Sequence, residues 1–401
     1  MEEALSRLLS TVQPLPATEG EQVSTFNALG RVLAEDVRSN LDVPPADNTS
    51  MDGYALRCAD VPAVGTVLPI SQRIPAGVVA SALQAGTAAR IFTGAQVPAG
   101  ADAVVMQEQC DVDGEGVRVN TVPQPGQWIR RRGEDVQQDS VVLPAGTRLT
   151  PQALGLAAAV GAATLKVAAR PRVALFSTGD ELVMPGEPLK PGAIYNSNRF
   201  TLRALIQALG CECTDLGIVP DQLEATREAL RQAAQGNQLI VTSGGVSVGE
   251  EDHLRPAVAA EGRIDLWQIA IKPGKPLAFG EVRRAQGGSA YFIGLPGNPV
   301  SSFITFLLTV RPVLMRLQGA ADLKPKGVTL RADFDWPHPD KRREFLRVRR
   351  NDRGGLDLFA NQSSGVLTST VWGDGVVDNP SGHAIHRGDA VTCLLFSELL
   401  S

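Results

Sequence analysis

Acidic and glycine-rich loops recur where short apolar runs stop. Gln238–Asp252 reads Q-L-I-V-T-S-G-G-V-S-V-G-E-E-D. Leu239, Ile240 and Val241 form an apolar run halted by Ser243, Gly244 and Gly245, the pattern of a buried strand entering a glycine turn. Such a turn lets the backbone approach a ligand and turns N–H groups towards phosphate oxygens. Glu250, Glu251 and Asp252 follow, carboxylates able to hold a hard cation such as Mg²⁺. Taken alone, the stretch also suits an ordinary strand-to-helix loop with solvated acids.

Two further stretches repeat the arrangement. Val173–Asp180 runs V-A-L-F-S-T-G-D with Glu181 after it, and Tyr291–Ser302 runs Y-F-I-G-L-P-G-N-P-V-S-S. Three such strand ends in a βα pattern belong side by side at the carboxyl edge of a parallel sheet, where this class of fold binds ligands. Neither a G-x-x-x-x-G-K-[ST] loop nor a G-x-G-x-x-G helix start is present. Lys272 and Lys275 add cations, while no nucleophile–base pair appears. His383 and His386 have helix-compatible spacing but no third ligand nearby, and Cys211-x-Cys213 lacks neighbouring histidines. What remains suits metal-assisted phosphate chemistry.

The elements that must position these loops occupy a chain of 401 residues, enough for about two to four domains. Hydrophobic residues make up 43% and charged residues 20%, as in soluble globular proteins. A net charge of −5 disfavours a nucleic-acid surface, and five scattered cysteines suit a reduced cytoplasmic protein. Ala4, Leu5, Leu8, Leu9 and Val12 mark an amphipathic N-terminal helix without the basic and apolar regions of a signal peptide, and no apolar run predicts a membrane span. Pro44-Pro45 opens a stretch of short strands, Val64–Ile70, Ala88–Phe92, Ala103–Gln107 and Val117–Val122, which predicts an inserted β module. There Asp52 follows a turn, where a plain turn acid is the simpler assignment. Arg130-Arg131-Arg132 suits a solvated face or a folded loop. Thr150 and Pro151 predict the start of a helix over Gln152–Val160.

From Arg172 the pattern is βα. Leu202, Leu205, Ile206 and Leu209 mark a helix face, Cys211–Val219 a strand, and Asn298–Leu317 a buried helix. Asp221 reads as the N-cap of the helix reaching about Ala234, a structural role sufficient in itself. Strands over Gly327–Asp333, Glu344–Arg350, Leu356–Phe359 and Ala390–Leu395 predict a C-terminal β domain.

The motifs S-T-G-D-E-L (177–182), N-S-N (196–198), T-S-G-G-V-S-V-G-E-E-D (242–252), K-P-G-K-P (272–276) and G-L-P-G-N-P-V-S (294–301) resemble those of the molybdopterin molybdotransferase family, which includes the corresponding domain of gephyrin-type proteins. The segments N-T-S-M-D-G-Y-A (48–55), F-T-G-A-Q-V-P-A-G-A-D-A-V-V (92–105) and R-R-R-G-E-D (130–135) are similar to the family's second domain, so the likeness covers most of the chain in order.

The resemblance implies that adenylylated molybdopterin and molybdate are converted to molybdenum cofactor with Mg²⁺, releasing AMP, in a homodimer with shared active sites. It also implies exchange with an adenylyltransferase and with cofactor-accepting enzymes, while the net charge and the lack of a long apolar run predict no nucleic-acid or membrane partner. By motif, the catalytic positions are Asp52, Thr93, Glu181, Asp221 and Asp252, with Glu181 and Asp252 as metal ligands. Arg130 from the β module, then Thr178, Gly179, Asp180 and Asn198, would bind substrate. So would the turn Ser243, Gly244, Gly245 and the loop Pro296, Gly297, Asn298, Pro299. Lys272 and Lys275 would serve both substrate and molybdate, and Ser301, Arg347 and Ser364 molybdate; cations around a tetrahedral dianion are what its charge requires. Gln268 stands where some relatives carry lysine.

The implied fold is α/β plus β: a central parallel-sheet α/β domain (1–20 with 166–322), a linker domain (21–43 with 139–165), an inserted β module (44–138) and a C-terminal β domain (323–401). The rival functions are a molybdopterin adenylyltransferase, which shares the T-S-G-G domain but needs neither β unit, a non-enzymatic gephyrin-like scaffold, and a fold-sharing amidohydrolase that K-P-G-K-P fits poorly.

Overall fold

The computed structural model of the chain describes residues 2–246 and 253–400. Its centre is a six-stranded sheet in the order Glu212–Val219, Arg172–Thr178, Leu239–Ser243, Ser289–Leu295, Pro276–Arg283, Gly262–Gln268. The first four strands are parallel. The last two are joined by antiparallel pairing, a feature that βα alternation alone does not foretell. The reason lies in the connections. Arg284 closes a tight turn by donating its N–H to the Gly288 carbonyl (3.0 Å), whereas a parallel return needs a long crossover.

Successive residues of the central strands point to opposite faces. Val173, Leu175, Leu239 and Val241 pack with Leu8, Leu202, Ile206, Phe303 and Leu314. Ala174, Phe176 and Ile240 pack on the other side with Leu230, Leu254 and Val258. Both faces are therefore covered by helices, which explains the unbroken apolar run of V-A-L-F. The helix from Pro299 to Leu317 contains a π-helical stretch, Phe306–Val310. It is long and apolar enough to cross a membrane, but 89% of its apolar window is buried in the protein core.

The helix predicted after Thr150 spans Pro151–Ala159, and the Thr150 hydroxyl accepts from Ala153 N. One expectation fails. The helix after Val219 begins at Leu223 with Gln222 as its flanking residue, so Asp221 is not the cap. The Asp221 N–H instead donates to Asp180 Oδ1 at 3.1 Å, tying two strand-end loops together.

Outside the central sheet, Glu21–Ser24 pairs with Thr164–Val167 and Val37–Arg38 with Val141–Leu143. Leu33, Val37, Leu143, Ala157 and Leu165 bury one common core there. Between these segments lies a second six-stranded sheet, ordered Ala103–Met106, Gly53–Leu56, Ala88–Ile91, Thr66–Ile74, Gly116–Val119, Cys110–Asp113. The C-terminal strands Arg343–Arg350, Gly355–Leu358, Val328–Ala332, Ala390–Leu395 and Gly375–Asn379 pair in that cyclic order and close a barrel. Gly375–Asn379 and the short helix Thr368–Trp372 escape the sequence pattern, being brief and not alternating.

Candidate active site

The strand ends Thr178, Ser243 and Leu295 lead into one cleft of about 590 Å³. Thr178, Gly179, Glu181 and Asp221 line it, with the turn Ser243, Gly244, Gly245 and the loop Pro296, Gly297, Asn298, Pro299. Ser301 reaches it from the first turn of the long helix.

The turn glycines are required by space as well as by conformation. Gly244 has φ 93° and Gly245 φ 63°. A Cβ on Gly244 would stand 2.5 Å from the Thr178 carbonyl oxygen, and one on Gly245 2.8 Å from Thr178 Oγ1. Two strand ends can touch only because these side chains are absent.

Asn198 fixes the cleft from beneath. Its Nδ2 donates to Ser243 Oγ (3.0 Å) and to the Gly297 carbonyl (2.7 Å), joining the glycine turn to the P-G-N-P loop. Asn196 caps the same helix by accepting from Arg199 N through Oδ1 (3.1 Å). That leaves Asn196 Nδ2 buried without a partner among the described residues, as is Thr178 Oγ1. Both residues line the cleft, and buried polar atoms are rarely left unmatched, so these two suit hydrogen bonds to a bound molecule. Asn196 was within reach of sequence reasoning through the N-S-N motif. Tyr195 and Gly365 also line the cleft, and no local pattern marks either.

The other candidate positions are placed differently. Asp180 does not line the cleft but accepts from the Asp221 N–H. Asp252 lies outside the described residues. Lys275 is exposed, has no ion pair among the described residues, and precedes Pro276, which lines the cleft. Lys272 Nζ lies 3.2 Å from Glu344 Oε1 and 3.5 Å from Asp340 Oδ2, so its charge is already compensated. Gln268 is exposed and pairs in register with Pro276.

Arg347 is buried, and its guanidinium donates to Ser369 Oγ (3.2 Å) and to the carbonyls of Phe345 (3.3 Å) and Ser363 (3.1 Å), with no carboxylate partner among the described residues. Burial pushes its pKa down to about 10, leaving a cation with no counter-charge at neutral pH. The adjoining Ser364 carbonyl accepts from Val300 N at 3.0 Å, which brings this loop against the residue beside Ser301.

Asp52, Thr93 and Arg130 sit on the inserted β unit and line no part of the cleft. Asp52 accepts from Thr93, and this pair holds its carboxyl below the usual range, the backbone N–H bond contributing first and the hydroxyl bond second. Arg130 pairs through its backbone with Asn48, and its exposed side chain makes no ion pair among the described residues. Its neighbours Arg131 and Arg132 are bound to Asp47 (2.7 Å) and Asp42 (2.6 Å), so two of the three arginines serve the loop itself.

A molybdopterin molybdenumtransferase of Haemophilus influenzae is 42% identical over an alignment covering 100% of this chain and 99% of the relative. The chain belongs to the molybdopterin molybdenumtransferase family. A molybdopterin molybdenumtransferase of a Nostoc species is 40% identical, over 81% of this chain and 75% of its own. The crystal structure of a molybdopterin biosynthesis moeA protein from Pyrococcus horikoshii superposes with a TM-score of 0.85 at 30% identity, over 98% of both chains. Family models match in three blocks. These are the MoeA N-terminal region (domain I and II) over 1–161, a probable molybdopterin binding domain over 174–316, and the MoeA C-terminal region (domain IV) over 329–396. This molybdopterin molybdenumtransferase-family chain is thus an enzyme. The strand ends that build its cleft all fall within the molybdopterin-binding match.

Proposed function

We propose that the chain inserts molybdenum into adenylylated molybdopterin, taking molybdate as the metal source and releasing AMP. The observation that carries this reading is the make-up of the cleft. The Gly244–Gly245 turn, the carboxylates of Glu181 and Asp221, and Ser301 beside the Arg347 loop share one cavity. Backbone N–H groups and unmatched Asn196 and Thr178 atoms suit a phosphorylated substrate. Ser301, Ser364, Arg347 and Lys275 suit a tetrahedral dianion, and Lys272 joins them only by leaving Glu344.

Glu181 and Asp221 give the cleft two carboxylates, a donor set fitting Mg²⁺, which takes one or two carboxylates and completes its shell with water and phosphate oxygens. Glu181 would hold the ion, with Asp221 beside it in the cleft and Asp252 as the second ligand that the family motif implies. When bound, Mg²⁺ supplies charge neutralisation at the pyrophosphate. The chain's own residues orient the pyrophosphate at the glycine turn and hold molybdate near Ser301.

In this reading the active protein is a cytoplasmic homodimer. Asp52, Thr93 and Arg130 complete the cleft of the other subunit, because within one chain they line no part of it. The adenylyltransferase that makes the substrate and the enzymes that receive the cofactor are its exchange partners. Purified protein incubated with adenylylated molybdopterin, Mg²⁺ and molybdate should release AMP only when all three are present. AMP release that ignores molybdate, or none at all, sinks the proposal.

A further inference from the structure

A second cavity, of about 440 Å³, shares no residue with the cleft. It opens where three distant segments meet: the turn at Gly146–Thr150, the end of the long helix from Arg311, and the C-terminal helix carrying Glu398. The Ala321 N–H donates to the Gly146 carbonyl at 3.0 Å and closes one side.

The charge in this cavity is unbalanced. Arg148, Arg311, Lys324 and Lys326 line it, against the carboxylates of Asp322 and Glu398. Asp322 is turned to Lys326, 3.5 Å away, in an exposed pair. Arg311 is only 5% exposed. Its Nη atoms reach two backbone carbonyls, of Leu323 (3.4 Å) and Glu398 (3.3 Å), and its Nε has no acceptor among the described residues. Arg148 is half-buried and makes no ion pair among the described residues. Burial pushes both guanidiniums below their ordinary pKa; the charge of Arg148 lowers Arg311 further, and the carboxylates of Asp322 and Glu398 offset this only in part. Two guanidiniums lining one cavity, one of them with an orphaned buried donor, form a costly arrangement that an anion between them would relieve.

We propose that this cavity binds a soluble phosphate-class dianion, inorganic phosphate or a small phosphate monoester, held by Arg148 and Arg311 with Lys324 at the rim. The excess of two positive charges matches a dianion, and guanidinium forks suit phosphate oxygens. A bound phosphate would join the 146–150 turn to the long helix, whose first turn carries Ser301. The site stands apart from the reading of the cleft and does not depend on it.

Inorganic phosphate is the probe, titrated calorimetrically into the full-length protein in chloride buffer at constant ionic strength. Wild type should show a saturable site that Lys275→Ala, beside the cleft, retains. Arg148→Gln should weaken it about tenfold, the loss expected for one charge-assisted contact. Lys324→Gln, an exposed change that spares the fold, should weaken it by a smaller factor. Thermal melts without phosphate show that each variant is folded. No saturable binding at millimolar phosphate overturns the proposal. So does equal affinity in wild type, Arg148→Gln and Lys324→Gln, or a loss confined to Lys275→Ala.

Discussion

Asp52 Oδ1 accepts two hydrogen bonds from one residue, the Thr93 N–H at 2.8 Å and the Thr93 hydroxyl at 2.7 Å. Both bonds use the same oxygen, and Oδ2 accepts no hydrogen bond among the described residues. The two residues come from different strand ends of the inserted β unit, and their union fixes a carboxylate on its surface.

Thr93→Val removes the hydroxyl donor but keeps the backbone bond. The Asp52 pKa should rise towards the ordinary carboxylate value without reaching it, as read by NMR titration of the side-chain carboxyl. Asp52 is depressed in the folded state, so its contribution to stability is complete above the unfolded pKa and is lost as pH falls through the folded value. Destabilisation by Thr93→Val should therefore show at neutral pH and fade in acid. A pH-independent loss would point to packing instead.

Shared sites predict complementation. Asp52→Ala and Glu181→Ala, each inactive alone, are dissociated together and reassembled. In a mixed two-fold dimer one site carries both changes and the other neither. Random pairing makes half the dimers mixed, so about a quarter of wild-type activity should return. If mixed dimers form and no activity returns, each site is built within one subunit.

Molybdate should stabilise the protein by supplying the counter-charge that Arg347 lacks. At about a hundred times the dissociation constant, binding adds about 2.7 kcal/mol. The rise in melting temperature should vanish in Arg347→Gln, while Lys275→Ala should only shift it to higher molybdate, since that lysine is exposed. An unchanged melting shift in Arg347→Gln would place molybdate elsewhere.

Gly245→Ala should cost about 1–2 kcal/mol from its left-handed backbone alone. The added methyl also meets Thr178 Oγ1, so substrate affinity should fall in the folded variant. Chemical denaturation and substrate titration separate the two effects. Full affinity in Gly245→Ala would show that the turn does not contact substrate.

Much of the cleft is legible in the sequence because its parts are local. Apolar runs such as V-A-L-F bury both faces of a strand, and the glycines mark where two strand ends approach too closely for side chains. The alternation that sends Leu175 to one core and Phe176 to the other is written in a single strand. The family motifs lie on these same loops, so Glu181, Asn198, Ser243 and Ser301 could be picked out without coordinates.

Tertiary structure decided what depends on remote partners. Pairing of Glu21–Ser24 with Thr164–Val167, and closure of the C-terminal barrel through Arg343–Arg350 and Gly375–Asn379, join surfaces that no local period describes. The fate of each charge is settled in the same way. Lys272 reads as a free cation in K-P-G-K-P until Glu344 arrives from the barrel to neutralise it. Arg347 reads as a strand arginine until folding buries it without a carboxylate. A side chain's type and spacing are local properties, whereas its solvation and its counter-charge belong to whichever segments the fold brings beside it.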